Sequence, residues 1–453
     1  MSAVQERPAP PVPAARAPLP PGPRLPRAVQ TIGFIFFGPR FLDWARRRYG
    51  GAVFMRTLFD DGFVMVFDPG LVRQVFQGPP AQLHAGEANA LLGPIVGARS
   101  VLLLDEAEHL RHRRLMLPPF HGEHMRAYAD VIAAATDSEL ARWPVGETFT
   151  LLESMQALTL RVIVNAVFGY GEGPATEELV ARLRAMVDPL SRPRGLMLMA
   201  LLDRLRGRRG AGASAFAARQ AAVDELLYAE ISRRRADPQL GEREDVFSAL
   251  LLARDDQGEG LSDREVRDEL VTLLLAGHET TATALAWTFD LLLHDPEVYA
   301  RARKGDDRYL EAVIKESLRM RPVIPGIGRV VRGEPFALGP YAVPVGIEIN
   351  PSIRTIHARG DLFPRPQEFS PERFLGDGAP DTYTWLPFGG GTRRCLGASF
   401  ASMEMRIVLA RVLEALGPRL RAAGPELERI QLRAITQAPR HGVRVIVDPP
   451  AAT

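Results

Sequence analysis

Among 453 residues there is one cysteine, Cys395, and it lies in an unusual setting. Phe388 and the three glycines Gly389, Gly390 and Gly391 lead into Thr392, Arg393 and Arg394, and Leu396 and Gly397 follow the thiol. A thiol that occurs once cannot be half of an intramolecular disulfide. Glycines permit positive φ and let backbone lie flush against a flat, bulky partner. Beyond the cysteine, Phe400, Met403, Ile407 and Val412 recur near helical spacing over 396–416, which places Cys395 at or just before a helix N-terminus. The positive end of that helix, with Arg393 and Arg394, predicts a lowered thiol pKa. A thiolate of this kind suits a nucleophile or a metal ligand. The alternatives are a buried structural thiol and a nucleophile that needs a histidine with an orienting Asn or Asp brought near by the fold.

Three further groups have the residue types for chemistry. The run Ala276, Gly277, His278, Glu279, Thr280, Thr281 interrupts an apolar helical pattern that starts at a capping box, Ser262 to Glu265, and carries Val266, Leu270, Leu273 and Leu274 to about residue 293. A glycine costing about 1 kcal/mol, an acid and two β-branched hydroxyls are poor choices for a helix core. They read either as a kink, with hydroxyls bonded back to the i−4 carbonyl, or as a proton-handling site. Glu316 and Arg319 lie one turn apart on a helix built by Leu310, Val313, Ile314 and Leu318, which as an exposed pair would contribute only a few tenths of a kcal/mol. His109 and Arg113 are i and i+4 on a basic helical stretch, which by itself reads as a solvated face.

Phe388, Gly391, Arg393, Cys395 and Gly397 match the Phe-x-x-Gly-x-Arg-x-Cys-x-Gly signature of the cytochrome P-450 family at every fixed position, and the chain resembles that family from about residue 20 to residue 447. The run 276–281 is similar to its Ala-Gly-x-Glu/Asp-Thr motif, Glu316 and Arg319 to its Glu-x-x-Arg, and Pro371 to Phe374 to its Pro-Glu-Arg-Phe segment. The resemblance implies haem b, iron protoporphyrin IX, with Cys395 as axial thiolate and the glycines letting the loop pass beneath the porphyrin. It implies propionate contacts from Arg393, His109, Arg113 and Arg329, and O2 as co-substrate, with Glu279 and Thr280 delivering protons. Glu316, Arg319 and Arg373 then form a structural network, and His278 is incidental. Leu91, Leu102, Leu103, Ala276, Val323, Ile324 and Ile435 would line an apolar substrate pocket for a fatty acid, terpenoid, steroid or macrocycle.

The elements that must position these residues are mainly helical. Helices are expected over 41–49, 127–141, 151–168, 176–190, 216–233 and 245–253, besides those already named. Hairpins are expected from 52–57 with 63–67 and from 435–439 with 442–447, and strands over 329–331 and 347–350. The glycine-punctuated apolar stretch 81–104 reads as a pocket wall or lid, and the Met-rich run 196–202 as helix core or an adaptable surface. The implied architecture is mainly α with small β-sheets, α+β, with about a dozen or more helices in one large domain enclosing haem. That domain covers 31–453, behind a disordered arm, 1–30, that holds nine prolines.

The arm has no apolar core after a basic start, and 31–37 is too short to span a bilayer, so no membrane span is expected. With 46% hydrophobic residues and a net charge of +2, nothing points to nucleic acid as a general partner. A lone cysteine fits a reducing cytoplasm. No glycine-rich βαβ fingerprint for flavin or nicotinamide occurs. Electrons are therefore expected from a ferredoxin and its reductase, docking where Arg113, Arg114 and Arg394 supply positive charge, and a monomer is the family's usual condition. A peroxide-driven oxygenase or isomerase of the same fold, which the intact Glu279 and Thr280 pair argues against, and a haem- or ligand-binding protein without turnover remain as alternatives.

Overall fold

A computed structural model describes residues 17–450, apart from 121, 123, 170–172, 174–176, 183–184, 187–210, 377–378 and 434. Its centre is the helix Asp263–Leu293, which begins as expected: the Ser262 hydroxyl accepts the Glu265 N–H and the Glu265 carboxylate accepts the Ser262 N–H at 2.8 Å. Most of its length is buried, because apolar side chains occur all round it. The helix Leu151–Phe168 packs along it and ends at Gly169, whose φ of +62° requires no side chain. By length and composition this second helix could cross a membrane, but 67% of it is buried inside the protein, as befits a core helix. A Cβ on Gly277 would lie 3.0 Å from Ile163, so the glycine lets the two helices approach. The central helix runs unbroken through that position. Around this pair lie His124–Leu140, Ala211–Arg235, Asp307–Met320 and Ala398–Leu416, joined in one large apolar core.

A five-stranded sheet flanks the helices. Its order is β1 (Ala52–Met55), β2 (Phe63–Val66), β5 (Glu348–Pro351), β4 (Arg329–Val331) and β3 (Leu83–His84). β1 and β2 form the expected antiparallel hairpin, β2 runs parallel to β5, and Arg329 stands opposite Ile349. Val64, Val66, Val331 and Ile349 supply the sheet's own buried cluster.

Three expectations need correction. The arm is shorter than 1–30: Pro21 O accepts the Phe54 N–H at 3.0 Å, Pro18 O accepts that of Ala342, and Gln30 is buried, bonded to Pro23, Leu25 and Arg56. The first helix starts at Arg27, not at 41, and runs to Tyr49. At the other end, 435–439 and 442–447 do not pair. Thr436–Pro439 pairs with Ile430–Arg433, while Arg444–Val447 lies between Thr148–Thr150 and Leu420–Ala422. The Met-rich run 196–202 lies outside the described residues.

Candidate active site

Cys395 precedes the helix Ala398–Leu416, with its N–H donated to Phe388 O at 2.9 Å, so the loop folds back on itself. Gly391 has φ +64°, and a Cβ there would lie 1.9 Å from Phe76 O; one on Gly390 would strike the Phe76 ring. These two glycines thus serve the fit of the loop against the helix Pro69–Gln77. Gly397 is different, since a Cβ on it would meet open space. Cys395 is exposed, yet protein closes around it so thoroughly that its surface must open inward. Burial pushes the thiol up, and the Gly397 N–H, Arg113 and Arg394 only oppose it. This reverses the expected lowering, because desolvation outweighs the helix end and the arginines.

Beside the thiol, positive charge converges from separate elements. His109 and Arg113 come from the helix Glu106–Met116, Arg329 from β4 and Arg393 from the cysteine loop. His109 is buried and driven down to about 3, first by desolvation and then by Arg393, Arg113 and Arg329. Burial also lowers Arg329 and Arg393 to about 10, with each further affected by neighbouring guanidinium groups. Asp105 and Glu348 oppose this charge, but Asp105 is already held by Arg393 at 2.5 Å. Among the described residues the Arg113 guanidinium donates no hydrogen bond. A buried excess of guanidinium over carboxylate fits a ligand that brings carboxylates of its own, and an inward-facing sulfur fits one that brings a metal: the residues present fit haem. Arg393 is the qualification to its expected role, since its donors also bind Val101 O at 3.1 Å and Leu104 O at 2.5 Å.

On the central helix, Thr280 donates to Ala276 O at 2.6 Å, the back-bond of the structural alternative, but its hydroxyl and Ala276 are accessible within an otherwise buried helix. Glu279 is buried and accepts from Gln156 Nε2 at 2.7 Å. His278 lies with Nδ1 3.1 Å from the Thr159 hydroxyl, which also reaches the His278 carbonyl. His278 is thus no bystander but a pin between the two helices. Gln156 and Thr159 were missed; their only signal was polarity in an apolar helix.

The buried network is complete. Arg319 grips Glu316 with two bonds of 2.7 Å, and Glu316 also receives Arg373 Nε at 3.2 Å and the Ser370 N–H at 3.1 Å. Arg319 reaches on to His357 O at 2.9 Å. His357, also missed, accepts the Leu386 N–H on Nε2 at 2.9 Å, so its other nitrogen carries the proton towards Arg319 O. Full burial holds it neutral, with its pKa down at about 3. The network is thereby tied to the chain that enters the cysteine loop.

A second set of acids, also missed, holds the 97–104 loop. Asp268 accepts the Arg99 N–H at 2.9 Å, Glu269 accepts that of Val101 at 2.9 Å, and Thr272 bonds Ser100 at 2.7 Å. Of the expected pocket residues, Leu102, Leu103 and Ile324 are half-buried, Val323 is in the core, and Leu91, Ala276 and Ile435 are exposed. His84, Glu87 and Asp105 bring ligand atoms within 4.8 Å of one another, but Glu87 is matched to Arg332 and Asp105 to Arg393, which makes them a salt-bridge network.

A sequence profile of the cytochrome P450 family matches residues 20–418. "Putative cytochrome P450 135A1" of Mycobacterium tuberculosis is 40% identical over 95% of this chain and 95% of its own length. "Putative cytochrome P450 138" of Mycobacterium bovis is 39% identical over 98% of both. Among solved structures, "Retinoic acid bound cyanobacterial CYP120A1" superposes with a TM-score of 0.81 at 23% identity, covering 95% of this chain and 99% of that one. The chain belongs to the cytochrome P450 family of haem-thiolate monooxygenases.

Proposed function

We propose that the protein inserts one atom of O2 into an apolar small molecule of the fatty acid, terpenoid, steroid or macrocycle kind, using electrons from a separate ferredoxin. The observation that carries this reading is the inward-facing Cys395 sulfur beside the buried cluster of His109, Arg113, Arg329 and Arg393. Cys395 would ligate the iron of haem b, and the cluster would hold its propionates. Haem, once bound, supplies the redox chemistry that activates O2. The remaining work falls to the chain. Thr280 has an accessible hydroxyl whose bond to Ala276 O can be exchanged for one to a ligand. Glu279, oriented by Gln156, stands next to it in sequence and can pass a proton to that hydroxyl's neighbourhood. Leu102, Leu103, Val323 and Ile324 supply the apolar surroundings that fit an apolar substrate, with Leu91, Ala276 and Ile435 assigned to the same pocket. Arg114 and Arg394 are exposed and suit an acidic electron donor.

The purified protein, reduced under carbon monoxide, should show the long-wavelength band of thiolate ligation, and Cys395→Ser should lose it. Titration with a panel of apolar compounds should displace water from the haem and shift its absorption band for the right class. Product formation with ferredoxin and reductase separates a monooxygenase from a sequestering protein, and Thr280→Ala should lower the yield of product per electron consumed. A thiolate band that survives in Cys395→Ser would overturn the assignment.

A further inference from the structure

Residues 1–16 precede the described part of the chain, and Arg7 to Pro13 read Arg-Pro-Ala-Pro-Pro-Val-Pro. Four prolines in seven residues leave only Arg7, Ala9 and Val12 with a backbone N–H. Such a run favours polyproline II, whose carbonyls have no bond within the helix. It brings acceptors to a partner and few donors. Where the described chain begins, Pro18 O accepts the Ala342 N–H at 3.1 Å, which fastens the arm to the hairpin of Phe336–Leu338 and Tyr341–Val343. That hairpin lies on the helix Pro69–Gln77: Gln74 Oε1 accepts the Gly339 N–H at 2.8 Å, and a Cβ on Gly78 would meet the Phe336 ring at 3.1 Å. The steps from Pro18 back to Pro8 span about 31 Å as polyproline II. That is enough to cross the hairpin, whose strands stand about 5 Å apart, and to continue past Gly78.

At Gly78 begins an open groove of about 720 Å³. Phe76, Pro79 and Pro80 line it on one side, and Tyr383 with Gly391 and Thr392 of the cysteine loop complete it. Gln77 Nε2 donates to the Tyr383 hydroxyl at 3.1 Å, and the Arg73 guanidinium lies 4.7 Å from the centre of its ring, so the half-buried ring is fixed before any ligand arrives. Neither the Tyr383 hydroxyl nor that of Thr392 donates to an acceptor among the described residues. The groove thus offers proline rings, an aromatic ring and two unspent hydroxyl donors. These complement a run of prolines with free carbonyls, which is how aromatic-lined grooves take polyproline segments. Charge agrees as well. Asp381 stands two residues from Tyr383, 57% exposed and 3.8 Å from Arg73, with room for a second cation that Arg7 or Arg16 supplies.

We propose that residues 7–13 of this chain bind as a polyproline II segment in the groove between Gly78 to Pro80 and Tyr383, lying against the cysteine loop at Gly391 and Thr392. Residues 14–17 are then a short tether, which sets the effective concentration of the run at the groove in the millimolar range, so that even a weak site is filled within one molecule. The test is hydrogen exchange, read by mass spectrometry, of the haem-loaded full chain against the same chain lacking residues 2–16. Segments 74–84 and 381–392 should exchange about threefold or more slowly in the full chain. P8S/P10S/P11S/P13S, which alters no described residue, should exchange as the shortened chain does, and Y383S should remove the slowing at an unchanged haem spectrum. Equal exchange in the full and shortened chains, which would leave the groove to a separate partner, or slowing that survives the four serines, would overturn the proposal. So would slowing that grows with protein concentration, which would assign the groove to the arm of a second copy. Should Y383S fail to bind haem, the four-serine variant decides.

Discussion

Raising the pH should loosen the contact between the Glu106–Met116 helix and the central helix, because Glu269 must then ionise where it is fully buried. Its carboxylate lies 2.7 Å from His112 Nδ1 and accepts the Val101 N–H, and His112 Nε2 stands 3.1 Å from Glu265. Burial lifts Glu269 from 4.5 to about 7, against the pull of His112. His112 is itself raised, its two carboxylate partners prevailing over its own burial. Both folded-state pKa values thus lie above those of the unfolded chain. The stability they contribute is fully present at low pH and is lost as the pH rises through about 7. At 1.36 kcal/mol per pH unit, the interval from 4.5 to about 7 corresponds to about 3 kcal/mol for Glu269. An unfolding entropy of about 2.1 cal/mol/K per residue over 453 residues turns this into about 3 °C in Tm. Scanning calorimetry of the haem-loaded protein at pH 5 and pH 8.5 measures it against Glu269→Gln, which cannot ionise but keeps an acceptor for Val101. Groups that do not touch Glu269, Asp290 with its pKa raised to about 6 among them, are common to both proteins and cancel, while His112, which loses a carboxylate partner in the variant, adds to the difference in the same direction. The parent should lose about 3 °C more than the variant between the two pH values. Equal losses would show that Glu269 is already ionised in the fold, and the reasoning would fail.

Two further substitutions separate kinds of buried charge. Arg319→Leu strands the Glu316 carboxylate with Arg373 as its remaining cation and should cost about 3–5 kcal/mol, seen as a lower urea midpoint and reduced haem content; an unchanged midpoint would remove the network from any structural role. Glu404, on the helix after Cys395, is buried, burial alone raises its pKa well above the ordinary value, and its Oε1 has no hydrogen-bond partner among the described residues. Glu404→Met, of similar volume, should therefore stabilise the protein by about 1–3 kcal/mol, and a fall in the urea midpoint would mean that the carboxyl has a partner after all.

What was legible in the sequence was whatever could be written locally. The capping box at Ser262 starts its helix, the Leu151–Phe168 helix ends where its glycine stands, and Glu316 and Arg319 meet because they are one turn apart. Where the reading failed, distant chain supplied the reason. Gly33, Gly38 and Pro39 argue against a helix, yet Gln30 and Thr31 are held by β1 and the turn after it, and the helix forms across all three. Nothing near residue 444 tells that its strand pairs with Thr148–Thr150, almost three hundred positions earlier. Gln156, Thr159, His357 and Glu269 stand out in the sequence by polarity alone, and packing gives each its partner.

The charge state of the site belongs to the same class of non-local fact. From its neighbours Cys395 should be a ready thiolate; inside the fold, desolvation raises it, while the same desolvation lowers Arg113, Arg329 and Arg393. The folded chain thus makes both the thiolate and the guanidinium charges costly in the same small volume. A group that takes the sulfur on a metal and offers carboxylates to the arginines relieves both costs together, whereas a nucleophilic cysteine would relieve only the first. Cys395 and the cationic cluster therefore argue for haem more strongly as a pair than either does alone, and that pairing exists only once residues 109, 113, 329, 393 and 395 have been folded to one place.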